Sequence, residues 1–477
     1  MQRLSGFASR LASALWIAPL LGASTAACSS SPSSPSMSAS TASAQVTYHA
    51  DVEPIVQEKC QGCHVAGGIA PFPLTTYADA KPYATLIASE TASGAMPPWG
   101  AVPTSDCTPR FGFLNDPRLT SAQIATIQAW NAAGAPEGDP SDAPPPNTTA
   151  PVTSLPGVQL ELTPPAPYTL PNGMDDDFRC FVLDPKLTAT SYVNGTFTVP
   201  GNETIVHHAL VFADTTGAST ALITDPTTQS YECFGGPGFD NTSLVTAWAP
   251  GGNPIEYPSD VGQPIDPGTL LVMQVHYHPH GTTVPPGPDQ TSLQLRFTAS
   301  TPTHIATALL AGNFTNPVAA GSMDTGLLPG PDDPASGPVF DIPPNVKGHT
   351  ETMQVGIPNG IPQVHLLGIA GHQHYVGTSV DITITRQTAS PASECLLSIP
   401  QWDFNWQRFY MYDTSIDQLP TAEPGDVIQI KCTYDNTFDN AELAQSLIAR
   451  GLSQPQDVRL GETTLDEMCL GAFVYVQ

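Results

Sequence analysis

Residues 270–278 read Leu270-Leu271-Val272-Met273-Gln274-Val275-His276-Tyr277-His278. In an extended chain successive side chains point to opposite faces. Leu271, Met273, Val275 and Tyr277 therefore share one face, and His276 and His278 share the other. The stretch reads as a strand with an apolar side for a core and a second side that can aim two imidazoles at one ion. The same period of two recurs at 379–385, where Val380, Ile382 and Ile384 alternate with Asp381, Thr383 and Thr385. Further strands are expected at 204–212, 426–434 and 471–476. With 51 prolines and 39 glycines in 477 residues, short strands joined by turns suit the chain better than helical bundles. Its length exceeds what one core usually serves. The expected fold class is mainly β: two β-sandwich, jelly-roll-like domains at 157–300 and 301–477, preceded by a small α-helical domain.

Helical signals gather upstream, at 45–137. Thr120 or Ser121 can cap a helix that buries Ile124, Ile127 and Trp130 and stops at Gly134. The same region holds Cys60-Gln61-Gly62-Cys63-His64. Two thiols at this spacing can form thioethers to both vinyl groups of one haem, and the following His64 then meets the iron. A redox disulfide or half a zinc site would not account for that histidine. Met96, in Gly94-Ala95-Met96-Pro97-Pro98-Trp99, is the expected sixth ligand, with His49 as the other candidate. The module resembles a class I cytochrome c, which implies one covalently bound haem c and a role in carrying electrons. Residues 138–156, rich in Pro, Asp and Thr, read as a linker.

Residues 1–44 read as an export signal followed by a Ser/Pro-rich tether. Arg3 and Arg10 precede an apolar run too short to span a bilayer. Thr25-Ala26-Ala27-Cys28 resembles a lipoprotein box, and Ala42-Ser43-Ala44 offers an ordinary cleavage site instead. The expected address is a periplasmic or outer-membrane-anchored lipoprotein, or an extracellular protein, with membrane contact only through that lipid. A formal net charge of −28, from 15 Lys plus Arg against 43 Asp plus Glu, excludes a nucleic-acid partner. Beyond Cys28, Cys60 and Cys63 stand Cys107, Cys180, Cys233, Cys395, Cys432 and Cys469. An even set in an exported chain favours disulfides, with fifteen possible pairings.

Ten of the 12 histidines follow the linker. His372-Gln373-His374 has the strand spacing that converges two rings on one metal, as His276 and His278 have. His207 and His208 are adjacent and can serve one ion only where the strand bulges or ends. Imidazoles alone leave zinc, copper, nickel or iron open.

The surrounding stretches resemble the copper type II ascorbate-dependent monooxygenases, the family of peptidylglycine hydroxylating and dopamine β-monooxygenases. They are Val206-His207-His208-Ala209-Leu210-Val211-Phe212, Leu271-Val272-Met273-Gln274-Val275-His276-Tyr277, Gly371-His372-Gln373-His374 and Asp466-Glu467-Met468-Cys469, in the family's order. The resemblance implies two copper ions. His207, His208 and His276 would hold the one that relays electrons; His372, His374 and Met468 would hold the catalytic one that meets dioxygen. A thioether beside two imidazoles also favours Cu(I) on its own chemistry. The resemblance further implies disulfides Cys432 to Cys469 and Cys180 to Cys233. Cys107 and Cys395 then either pair, docking the haem module onto the second sandwich, or stay as thiols. His278, His280 and His365 are candidates for supporting the ligands; His304 and His349 have no functional reading.

The family's peptide-amidating members use an Arg two positions before the His-x-His pair, and Asn and Tyr after the ligand Met. This chain has Ala370, Leu470 and Ala472 there, so no cation is expected to grip a peptide C-terminus and the pocket should be more apolar. The expected function is hydroxylation of a C–H bond in a small, weakly charged substrate by dioxygen, with an external donor feeding electrons through the haem. A haem and copper electron-transfer or copper-sensing protein is the alternative.

Overall fold

The computed structural model describes residues 45–477 apart from 67, 69, 147–151, 175, 241–242, 280–286, 313–325 and 331–332. The expected leader and tether, Cys28 and His280 lie outside the described residues. The fold is mainly β with few helices, as composition and strand periodicity foretell. No helix among the described residues is long and apolar enough to cross a membrane.

The longer N-terminal helices are α1 (Glu53–Lys59), α2 (Ala84–Ser93) and α3 (Ser121–Ala132). The start of α3 is fixed by reciprocal bonds: Thr120 accepts from the Gln123 N–H, and the Gln123 side chain accepts from the Thr120 N–H. Ile127 and Trp130 are fully buried against Tyr48, Val52 and Val56, and Gly134 takes the left-handed φ of 83° just beyond the helix.

Between α2 and α3 the chain leaves this body. Trp99, Ala101 and Phe113 pack into the core of the distant C-terminal strands. The Val102 N–H donates to Ser398 O at 3.0 Å and the Leu114 N–H to Met411 O at 2.8 Å. Arg110 reaches Glu394 at 3.0 Å, and Cys107 is disulfide-bonded to Cys395. Gly100 is required there, because a Cβ would come 2.9 Å from the Tyr410 hydroxyl and 3.0 Å from Ile399. The helical body is therefore fastened to the strands, covalently and by backbone pairing, rather than tethered by the 138–156 stretch alone.

The main strands are β1 (Asp177–Leu183), β2 (Ser191–Val199), β3 (Val206–Asp214), β4 (Ser243–Trp248), β5 (Val261–Ile265), β6 (Leu270–Tyr277) and β7 (Ser292–Phe297). They continue with β8 (His304–Ala311), β9 (Lys347–Gly356), β10 (Val364–His372), β11 (Gly377–Thr385), β12 (Ser393–Ile399), β13 (Val427–Asp435) and β14 (Leu470–Val476). In the first half, β1, β6, β3 and β4 form one antiparallel layer and β7, β2 and β5 another. Val206, Val211, Met273 and Val275 from the first layer meet Val193, Leu293 and Leu295 from the second in a shared core. In the second half, β8, β14 and β10 face β9, β13, β11 and β12, burying Ile369, Phe473 and Val474 with Val380, Ile382 and Ile430. The two halves are not separate sheets. A bridge from Ala308 to Leu244 and a short parallel pairing of His304 and Ile305 with Val261 and Gly262 carry β8 onto the first half. That continuity brings the histidine-bearing strand ends of both halves to one cavity.

Candidate metal centre

The first imidazole set lies where β3 pairs with β6. His208 faces His276 across the ladder, and the register shifts between Val206 and His208. This irregularity is the bulge that two adjacent histidines need if both are to serve one ion. The Nδ1 atoms of His207 and His208 are 3.1 Å apart, and ligand atoms of His207, His208 and His276 all lie within 4.8 Å of one another. The outer nitrogens are spoken for. His207 Nε2 donates to Phe404 O at 3.2 Å, and His276 Nε2 donates to Asp176 Oδ1 at 2.9 Å. Protons held at Nε2 of His207 and His276 leave their Nδ1 atoms as acceptors, and His276 Nδ1 is buried with no partner. An orphaned, inward-facing lone pair beside two others fits a metal ion bound by three imidazoles.

Asp176 holds this arrangement. Its Oδ1 also accepts from His278 Nδ1 at 2.9 Å, and its Oδ2 accepts from the Thr464 hydroxyl at 2.9 Å, with Arg450 at 3.6 Å. Burial pushes its pKa up, but the bonds from His276 and His278 outweigh that and hold it well below the carboxylate range. His278 Nε2 meets the Tyr375 hydroxyl at 2.8 Å. His278 is thus a supporting residue on the His276 face, as the strand period suggested.

The second set sits at the end of β10. His372 and His374 have ring centroids 5.1 Å apart. His372 Nδ1 donates to Gln407 Oε1 at 2.7 Å and His374 Nδ1 to Asp466 O at 3.0 Å, leaving both Nε2 lone pairs free. Burial holds their pKa values at about 4 and about 3, and depresses those of His208 and His276 too. All four rings are therefore held neutral near pH 7, the form that can bind a metal. Met468 is buried, and its neighbour Glu467 fastens it to the histidines. The Glu467 carboxylate accepts the N–H groups of His374 (2.8 Å), Val376 (2.8 Å), Gly377 (3.0 Å) and Met468 (3.1 Å). Burial nonetheless pushes its pKa up to about 8.

One cavity of about 130 Å³ is lined by His208, His276, His372, His374 and Met468 together. Ring centroids of His208 and His372 are 6.1 Å apart. Ala370, Leu470 and Ala472 line it as well, so the expected apolar character holds at those positions. Two charged residues also contribute, which position-by-position reasoning missed. Glu462 has its pKa raised to about 7 by burial and by Asp466, and Arg408 turns its guanidinium towards Trp99, 5.9 Å from the ring centroid. Asp176, Glu467, Gln407 and Phe404 were also missed. Glu467 stood inside a quoted motif, and Asp176 in an acidic run just before a strand.

In the helical body, Cys60 and Cys63 are free thiols, while the six other described cysteines form Cys107–Cys395, Cys180–Cys233 and Cys432–Cys469. Three disulfides belong to an oxidising, exported setting. His64 Nδ1 donates to Phe72 O at 3.0 Å, which leaves Nε2 for an iron and fits the haem motif. Met96 borders a separate cavity of about 600 Å³; Cys60, Cys63 and His64 are not among its lining residues. His49 is engaged with Glu53 at 2.7 Å and Glu137 at 3.6 Å. His365 stands at the far end of β10, paired with Val476 and Thr421, and does not support His372. His304 lies 4.0 Å from Asp260 and His349 2.9 Å from Glu351, both away from the cavity.

Residues 167–283 match the model of the copper type II ascorbate-dependent monooxygenase N-terminal domain. The matched stretch carries Asp176, His207, His208, His276, His278 and the Cys180–Cys233 disulfide. The chain is 26% identical over 291 residues to DBH-like monooxygenase protein 1 of Homo sapiens, covering 58% of this chain and 40% of the relative. It is 25% identical over 282 residues to the putative DBH-like monooxygenase protein 2 of Homo sapiens, covering 56% and 46%. It is 27% identical over 290 residues to DBH-like monooxygenase protein 2 of Mus musculus, covering 58% and 39%. The chain thus spans less than half the length of these relatives. The comparisons support a copper monooxygenase-like family, which implies copper.

Proposed function

We propose that the protein is an exported copper-dependent monooxygenase that hydroxylates a C–H bond of a small, weakly charged organic substrate with dioxygen, drawing electrons through a fused haem c. The observation that carries this reading is the convergence of two histidine sets and one thioether on a single cavity. His207, His208 and His276 would hold an electron-relaying copper through Nδ1. His372, His374 and Met468 would hold the second. Bound copper supplies one-electron redox chemistry and the activation of dioxygen. The protein's part is geometric: Asp176 fixes the proton and orientation of His276, Gln407 does so for His372, and Glu467 locks Met468 to His374. Ala370, Leu470, Ala472 and Phe409 give the substrate an apolar wall, and Glu462 titrates near neutrality. Cys60 and Cys63 would attach the haem, with His64 and Met96 as axial ligands. A bound haem supplies electrons singly, replenished by an external donor. The address is periplasmic, outer-membrane-anchored through a lipid, or extracellular.

The test is oxygen consumption by metal-loaded protein, given a reductant and a panel of small organic compounds, with labelled dioxygen traced into product. Substrate-dependent uptake that is lost in His372→Ala supports the reading. Full metal and haem loading with no substrate-dependent uptake would instead mark an electron-transfer or copper-sensing protein.

A further inference from the structure

The cavity that the histidines and Met468 line has a neighbour. A second cavity of about 210 Å³ adjoins it, and Trp248, Gln407, Arg408 and Phe409 line both. Only this layer of side chains stands between them. The inner cavity, at about 130 Å³, is small for an organic ligand; together the two reach the roughly 300 Å³ lower end of small-molecule sites.

The outer chamber is assembled from separate parts of the chain. Trp99, Leu114 and Asn115 come from the excursion between α2 and α3, Pro254 and Ile255 from the chain beyond β4, and Met411 from the segment paired with β10. Leu114 is 42% exposed and is held there by its N–H bond to Met411 O at 2.8 Å. The lining is mostly apolar, and its carboxylate, Glu256, is occupied by Arg296 at 2.6 Å.

The polar groups at the junction lack acceptors. Arg408 Nε, Trp248 Nε1 and Trp99 Nε1 are all buried donors without a partner, and among the described residues no ion pair neutralises Arg408. Its 5.9 Å separation from the Trp99 ring centroid is near the limit of about 6 Å for cation–π attraction and supplies no acceptor to its N–H groups. Orphaned donors and an unpaired cation are costly unless a ligand brings acceptors and negative charge. Further in, Ala370, Leu470 and Ala472 wall the metal cavity, and Glu462 there opposes an anion. The favoured place for a ligand's negative charge is therefore the junction, with apolar space on either side.

We propose that the outer chamber is the second half of the substrate site, and that the substrate is an organic monoanion with two apolar arms flanking its charge. Arg408 receives the anionic group, one arm enters the metal cavity, and the other lies against Leu114 and Ile255. The inference rests on the reading of the inner cavity as the reaction chamber. A guanidinium pairs with a carboxylate through two parallel bonds, which fixes orientation as well as charge. The excursion from the helical body thus helps to set substrate specificity.

The test is calorimetric binding to the full, haem-matured chain stripped of copper, so that no probe can bind the metal. The probes are 2-propylpentanoate, its uncharged amide, and pentanoate, which keeps the charge and lacks one arm. Wild type is expected to bind the branched acid about tenfold tighter than the amide and about tenfold tighter than pentanoate. Arg408→Gln should erase the preference for acid over amide while amide binding persists, which also shows that the site is folded. Leu114→Trp, at an exposed position, fills the outer chamber and should bring the branched acid down to the affinity of pentanoate. Equal wild-type binding of acid and amide, no binding of either, or an acid preference that survives Arg408→Gln overturns the proposal. So does a Leu114→Trp chain that binds the branched acid as wild type does. Failure of the copper reading shows separately, as wild-type chain that takes up no copper by elemental analysis.

Discussion

The two imidazole sets are built by opposite means. The first is held from the side chains outward: an acid, a backbone carbonyl and a strand bulge point three Nδ1 atoms at one place. The second is held from the backbone inward: one carboxylate gathers four amides around His374 and Met468, and the imidazoles are trimmed by Gln407 and Asp466 O. The first set is therefore a tripod of imidazoles, two of which, His208 and His276, border the same cavity as the second set. The second borders that cavity with a thioether and two imidazoles, and in the proposed reading substrate and dioxygen would meet it there.

This contrast makes its sharpest prediction at Glu467. Glu467→Ala leaves four buried amides without an acceptor, at about 1–3 kcal/mol for each unsatisfied group that water does not reach. Copper-free protein should lose about 3 kcal/mol or more in denaturant unfolding, and the second set alone should lose its metal. Next in size is the disulfide that joins the excursion between α2 and α3 to β12. Cys107→Ser with Cys395→Ser should cost about 2–4 kcal/mol by the same assay, without changing copper bound by the first set. Asp176→Asn removes the acceptor behind His276, so copper affinity of the first set should fall about 10–100-fold while the second is untouched; competition with a copper chelator measures it. Tyr375→Phe, one bond further out at His278, should cost about 1 kcal/mol, or no more than about fivefold in the same affinity. Equal losses at both sets in Asp176→Asn would break the comparison.

What the sequence disclosed follows the range over which each interaction acts. The His276 and His278 face and the His372 and His374 pair are legible because strand period operates within a few residues. The cap at Thr120 and the end at Gly134 are local in the same way. Asp176 lies 100 residues from His276, Gln407 35 from His372, and Cys107 288 from Cys395. No local period marks such partners. Arg408 escaped for a related reason: the position two residues before the His-x-His pair holds Ala370, so no cation is expected, and a guanidinium arriving from another segment has no signature there. The continuity of strand pairing from one half into the other was likewise invisible, since it depends on which edges meet rather than on any strand's own pattern. It is also what puts both metal sets on one cavity.

The most direct measurement is copper and haem stoichiometry of the full chain, wild type against Met468→Ala, by elemental analysis and pyridine haemochrome. Two coppers and one haem per chain, with one copper lost or weakened in the variant, is the predicted result. One copper or none, unaffected by the substitution, would contradict the two-set account.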